Sequence, residues 1–242
     1  MLLKRITHRQ GNNTNAQSLF AMKKYYFLFI LIMQAIFCCA QTVVPVKDEP
    51  RHHNVFENSF VRLLDVRIKP GDTSLFHKHA TPSVFIVLHP VKTGSEVKME
   101  EQKATALASQ DPSITFEGFY KSPRIHRVWN ADTAQFHVMD IEILSKGGHS
   151  VSAPIQQDGF KLLFDEQPVR AYRLTLQEGS NIQVQRRNPL LIVGLTDAAK
   201  PLSVNNKSFG KEGDFLYVPA GEAVQIANNN GQAYSFAVME MK

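Results

Sequence analysis

Apolar residues in this chain of 242 residues fall in short clusters of Val, Ile, Leu and Phe, broken by Gly, Pro, Asn and Asp. "PSVFIVL" (82–88), "FHVMD" (136–140), "PLLIVGL" (189–195) and "FAVME" (236–240) are representative. From residue 41 onward no long stretch carries apolar residues at helical spacing, so the clusters predict strands and their recurrence predicts an all-β sandwich or barrel. In "GDTSLFHKH" (71–79) polar and apolar positions alternate, and an extended strand there points His77 and His79 to one side together with Leu75.

The pattern occurs twice. Shifted by 108 residues, "VFENSFVRLLDVRIKPG" (55–71) falls on "LFDEQPVRAYRLTLQEG" (163–179), matching Phe56 with Phe164, Val61 with Val169, Arg62 with Arg170 and Gly71 with Gly179. With small further shifts, 82–88 pairs with 189–195, "HRVWN" (126–130) with "VQIAN" (224–228), and 136–140 with 236–240. "SKGGHSVSAP" (145–154) has the composition of a connector. Two domains are expected, at 41–148 and 149–242.

Charge narrows the partners. Lys and Arg exceed Asp and Glu by five, and Lys4, Arg5, Arg9, Lys23 and Lys24 carry that whole excess in the first 40 residues. Residues 41–242 are formally neutral, which removes the argument from a high pI to nucleic acid or an anionic membrane. Within the leader (1–40), "MKKYYFLFILIMQAIFCCAQ" from Met22 reads as a signal peptide (22–40) cleaved after Ala40, with Met22 as an alternative start. Its apolar run reaches about 16 residues and contains Gln34, short of a spanning helix. The expected product is exported, periplasmic or extracellular, without stable membrane insertion. Cys38 and Cys39 are the only cysteines, so residues 41–242 have no disulfide, thiolate ligand or cysteine nucleophile. Phe37 and Cys38 stand where lipoprotein signals resemble a small residue, which disfavours a lipid anchor.

An HxH pair alone does not separate a metal site from two polar residues on a wet strand face. At this point, however, the chain resembles the cupin superfamily, over essentially all of 41–242, as a two-domain bicupin. Gly71, His77 and His79 fit the first cupin motif with its spacing, while the glutamate of that motif is missing, its place falling on Ser83 or Val84. In "SPRIHRVWN" (122–130), His126 and Asn130 keep the final spacing of the second motif, with Pro123 where a glycine would stand. The second copy, "GDFLYVPAGEAVQIAN" (213–228), keeps Gly213, Pro219, Gly221 and Asn228 but has Val224 at the histidine position. Counted from Gly179, its HxH positions become Gln185 and Arg187.

The resemblance implies two tandem double-stranded β-helix (jelly-roll) barrels, with a metal site of His77, His79 and His126 in the N-terminal barrel and a degenerate site in the C-terminal one. The cofactor implied is one divalent transition metal, iron by preference, with manganese, nickel, copper or zinc as alternatives. The turn residues of the second motif are better kept in the copy without histidines, so the fold itself does not require imidazole there. Ser83 and His137 are candidates for an additional place in or behind the ligand set, a hydrogen-bonded core histidine being the other reading of His137. Asp140 and Glu142 are expected on a solvated face, because Glu240 and Lys242 stand at the matching positions. Arg124 shares the strand parity of His126 and is a candidate partner for a substrate carboxylate, or an ordinary surface arginine. His8, His52, His53, His89 and His149 are expected to be exposed, and Trp129 to lie in the core or between domains.

Two kinds of function follow. One is an exported metalloenzyme, an oxygenase in type, acting on a small anionic or enolic substrate; three-histidine cupins include such oxygenases. The other is a non-catalytic barrel that binds or stores a small molecule. No general base is evident beside the site, which ranks isomerases and lyases below oxygenases. A homodimer is a candidate assembly.

Overall fold

The computed structural model describes residues 42–98, 103–106, 112–119, 121–147, 152–229 and 231–242. The leader with its signal peptide, Cys38, Cys39, His8 and His149 lie outside the described residues. Val43 to Lys242 is one compact unit, and among the described residues no helix is long and apolar enough to cross a membrane. Apart from one 3-10 turn at Val46–Asp48, the regular structure is all strand.

The strands of the first half are β1 (Val44–Pro45), β2 (His52–Glu57), β3 (Val61–Ile68), β4 (His77–His79), β5 (Ser83–His89), β6 (Thr93–Val97), β7 (Lys103–Ala106), β8 (Ser113–Glu117), β9 (Arg124–Asn130) and β10 (Phe136–Ile143). Those of the second are β11 (Phe160–Asp165), β12 (Val169–Leu176), β13 (Asn181–Gln185), β14 (Leu190–Gly194), β15 (Leu202–Val204), β16 (Lys207–Phe209), β17 (Phe215–Val218), β18 (Ala223–Ala227) and β19 (Tyr234–Met241). Each half makes two sheets of its own: β1-β4-β9-β6-β7 and β2-β3-β10-β5-β8, then β11-β12-β19-β14-β17 and β13-β18-β15-β16.

The sheets centred on β10 and β19 are buried on both faces, which is why their strands read as apolar runs rather than alternations. Leu63, Ile86, Met139 and Ile141 point toward the other half and share one core cluster with Ala171, Leu191, Val193 and Met239. Leu64, Val66, Ile68 and Val138 point the opposite way, into the first half. The corresponding face of the second half is filled by Tyr172, Leu174, Phe209, Val224, Tyr234 and Val238.

The internal repeat survives in backbone detail. Both β2 and β11 carry a bulge at matching places, between Asn54 and Phe56 and between Leu162 and Phe164. Gly71 and Gly179 both have positive φ, 75° and 70°, and their N–H groups donate to the carbonyls of Asn130 and Asn228. The amides of these two buried asparagines clasp equivalent backbone: Asn130 Nδ2 donates to Ile68 O and Ala134 O, Asn228 Nδ2 to Leu176 O and Gln232 O.

Two sequence alignments need correction. Arg62 pairs with Glu57 and Glu142, as Arg170 pairs with Asp165 and Glu240. Ladder register therefore matches Glu142, not Asp140, with Glu240, and Asp140 with Val238. Nor is this face solvated: Asp140, Glu142 and Glu240 are buried, their charges absorbed by arginines or by burial. On β13, Val184 lies opposite Val224 as His77 lies opposite His126. The positions matching His77 and His79 are thus Val184 and Arg186, one residue before the Gln185 and Arg187 expected by counting.

Candidate metal centre

Strand geometry assembles the histidines. His77 and His79 are two residues apart on β4, hence on one face, and β9 runs antiparallel beside it with His126 opposite His77 and Arg124 opposite His79. The ring centroids are 4.5 Å apart for His77 and His126, and 5.0 Å for each of the other two pairs. One nitrogen from each ring lies within 4.8 Å of the others. His77 Nδ1 donates to Leu75 O at 2.9 Å, which fixes the tautomer and leaves the lone pair on Nε2.

Electrostatics keeps the cluster neutral. Burial, reinforced by the charges of neighbouring histidines and Arg124, lowers His77 to about 4 and His126 to about 2, and holds His79 well below its ordinary value. Neutral imidazole is the ligating form. His79 Nε2 and His126 Nε2 face each other at 3.1 Å, while both Nδ1 atoms are buried without a hydrogen-bond partner. Three converging neutral nitrogen donors with unsatisfied polar atoms around them fit a divalent transition ion.

The rings form one wall of a cavity of about 220 Å³ whose other walls are largely apolar, with Val66, Ile68, Phe85, Val87, Phe136 and Val138 among them. Arg124 lines this cavity, and its guanidinium has no ion pair or hydrogen bond among the described residues. Asp140 lines it as well; its Oδ2 is 3.6 Å from His79 Nδ1, too long for a hydrogen bond. Burial, with Glu142 alongside, pushes the Asp140 carboxyl well above the ordinary carboxylate range.

The two additional candidates are placed differently from each other. His137 faces the other half of the molecule, with Nε2 2.9 Å from Asp65 Oδ1 and Nδ1 2.6 Å from Glu212 Oε1, so it is a bridge between halves and not part of the cavity. The inner face of β10 belongs to residues of opposite parity, which is why His137 cannot turn inward. Ser83 is fully buried, its Oγ is 3.1 Å from Thr81 O, and its hydroxyl lies behind the cavity-lining Asp140, whose carboxyl it helps to lower against the effect of burial. Trp129 is half-buried and packs over Gly94, whose lack of a Cβ makes room for the indole.

His53 and His89 are exposed, but His52 is not. It is 8% exposed, lines the cavity, and sits 4.7 Å from His77, ring centroid to ring centroid. Its Nδ1 is 2.7 Å from Oε2 of Glu49, whose side chain is completely buried. Burial alone would raise Glu49, but hydrogen bonds from His52 and from the N–H groups of Leu75 and Arg51 overcome it and hold the carboxylate at about 2. Phe119, at φ 53°, stacks on His79 with centroids 5.5 Å apart. Neither residue carries a sequence signal: His52 precedes the HxH pair by a whole hairpin, and Phe119 sits in a connection with no motif.

No protein-family profile matches this sequence, and no curated protein is similar to it in sequence. Solved structures are similar in fold. YhhW from Escherichia coli superimposes with a TM-score of 0.55 at 13% identity, over 78% of this chain and 84% of its own. The same protein, described as a bacterial pirin in complex with nickel(II), gives 0.53 at 14% identity over 78% and 90%. A variant of salicylate 1,2-dioxygenase from Pseudoaminobacter salicylatoxidans, in complex with gentisate, gives 0.56 at 10% identity over 90% and 80%. At such identities the likeness is one of fold alone: this nearly all-β chain shares the overall strand architecture of these proteins.

Proposed function

We propose that this protein is an exported bicupin whose N-terminal barrel (41–148) holds one divalent metal through His77, His79 and His126 and works as an oxygenase-type centre on a small anionic or enolic substrate. The C-terminal barrel (149–242) serves as a scaffold with a degenerate site. The convergence of three neutral imidazoles, two buried and one partly buried, on the wall of an apolar cavity carries this reading. A bound ion, iron by preference, with manganese, nickel, copper or zinc as alternatives, would supply Lewis acidity and open positions for oxygen donors.

The chain's own residues define the remaining work. The apolar walls exclude water and strengthen every charge interaction inside. Arg124, with no acidic partner among the described residues, is placed to pair with a carboxylate or enolate of the substrate. The ligands in the complexes of the similar structures, nickel(II) and gentisate, are of the classes that support this reading.

Metal content after native purification tests the reading: wild type retains about one ion per chain and His126→Ala none. A wild-type protein free of metal overturns it. If metal and anion bind but oxygen is never consumed with enolic or phenolic probes, the chain is a binding barrel. Mass spectrometry of the exported form, expected to begin at Gln41, tests the leader, and sedimentation tests the homodimer.

A further inference from the structure

The internal repeat provides a control for the acids of β10. Glu142 has a counterpart in Glu240, and both are held by arginines, Arg62 in the first half and Arg170 and Arg186 in the second. Asp140 has no acidic counterpart. On the ladder it sits between Leu64 and Phe85, and the matching residue, Val238, sits between Tyr172 and Ile192. The second half therefore builds this rung from apolar side chains, with Val238 buried in its core. A carboxyl at the same place, 1% exposed, loses its water without an arginine paired to it. Asp140 thus does nothing for the sheet that an aliphatic side chain does not do, and it occurs in the half that has the three converging histidines.

What it faces is His79. Asp140 Oδ2 is 3.6 Å from His79 Nδ1, about half an ångström beyond hydrogen-bonding distance. Both groups are unspent: His79 Nδ1 and the two Asp140 oxygens are buried without a hydrogen-bond partner, and the Ser83 hydroxyl behind the carboxyl offsets burial only in part. His77 differs, because its Nδ1 is already tied to the carbonyl of Leu75. The other nitrogen of His79, Nε2, is the one that faces His126 Nε2. A neutral ring that offers the Nε2 lone pair to an ion carries its proton on Nδ1, on the side of the carboxyl. Asp140 stands outside the donor group itself, which among the described residues consists of His77, His79 and His126.

We propose that Asp140 is a positioning residue for the metal centre: its carboxyl accepts a hydrogen bond from Nδ1–H of His79 and so presents Nε2 to the ion. This rests on the metal reading above. A charged and a neutral carboxyl each have an oxygen that can accept, so the role does not depend on ionisation. The arrangement keeps a carboxyl one ring away from the ion, where it orients a ligand and fixes its tautomer without filling a coordination position.

The test uses the full chain with zinc(II) as the probe. Affinity is read by competition with a fluorescent chelator, and the imidazole N–H groups by proton–nitrogen NMR of the zinc-loaded protein, His79 being identified through the Phe119 ring stacked on it. Asp140→Val copies the second half, and without zinc it should melt no lower than wild type. With zinc it should bind ten- to hundredfold more weakly and lose the slowly exchanging Nδ1–H signal of His79. Asp140→Asn keeps an acceptor oxygen and should keep both that signal and the affinity, the latter within about threefold. Asp140→Leu serves if Asp140→Val does not fold. Equal zinc affinity in wild type and Asp140→Val, or an unchanged His79 signal, overturns the proposal and leaves the metal reading standing. A loss in Asp140→Asn as large as in Asp140→Val overturns it too, since the effect would then follow charge and not the acceptor. Wild type that binds no zinc overturns the metal reading, and the proposal with it.

Discussion

His77 and His126 are direct cross-strand partners on β4 and β9, and their rings are 4.5 Å apart. The equivalent pair in the second half is Val184 and Val224, buried among aliphatic side chains. One ladder position therefore holds either a pair of nitrogen donors or a pair of apolar side chains in the same antiparallel pairing.

Removing a ring from this pair should abolish tight binding. His126→Ala is expected to weaken cobalt(II) or iron(II) affinity by more than about 100-fold, beyond the loss of an outer partner. His53→Ala, at an exposed position, should leave it unchanged. Equilibrium dialysis against a competing chelator measures both.

Arg124 should matter for anions and not for the ion. A charge-assisted hydrogen bond contributes about 1.5–3 kcal/mol, so Arg124→Met should weaken binding of a small carboxylate probe about ten- to hundredfold. Metal affinity should be kept or slightly increased, since a cation leaves the neighbourhood. Parallel metal and anion titrations would show it.

The metal-free protein should lose stability in acid through its histidines. Folding lowers His77 from 6.5 to about 4 and His126 to about 2, so the unfolded chain binds more protons below pH 6.5. Stability then falls as the pH drops from 6.5 toward those folded values, by about 2 kcal/mol per ring at pH 5. Urea melts of wild type and His126→Leu at pH 7.5 and 5 check this; the variant should show the shallower decline.

His137 should act in the opposite sense. Burial alone would lower it, but Asp65 and Glu212 overcome that and raise it above its ordinary value. Its contribution is full below the unfolded value and is lost as the pH rises through the folded one. Arg67 faces it unfavourably, and Asp197 lies on the favourable side. His137→Gln should therefore destabilise more at pH 6 than at pH 9, by thermal unfolding.

The two asparagine clasps should be equivalent. Asn130→Ala and Asn228→Ala each remove amide bonds to buried carbonyls and should cost about 1–3 kcal/mol. Only Asn130→Ala should also disturb metal affinity, because its strand carries His126. A cost confined to one half would mean that the repeat is not symmetric in energy.

The sequence by itself determined the strands, the repeat and the common face of His77 and His79, because these depend on local rules, while His126 joined them only through the resemblance of its motif. Two-residue periodicity puts His77 and His79 on one face, and apolar runs bounded by turn residues mark elements buried on both sides. It could not determine that Asp140 and Glu240 occupy different rungs, since a slip of two residues preserves strand face and still sets one carboxylate against another, Asp140 against Glu240. Ladder partners decide that, and they decide equally that Val184 and Arg186, one place before the counted positions, stand where the first half has His77 and His79. Burial of the acids is likewise tertiary: Glu142 and Glu240 are sheltered by arginines on the neighbouring strands β3 and β12. His52 reads as one polar residue at a strand start until the chain brings Glu49 behind it and His77 beside it. His137 finds Glu212 across 75 residues of chain. In each case the deciding contact joins groups remote in sequence, and no periodicity along a single strand encodes it.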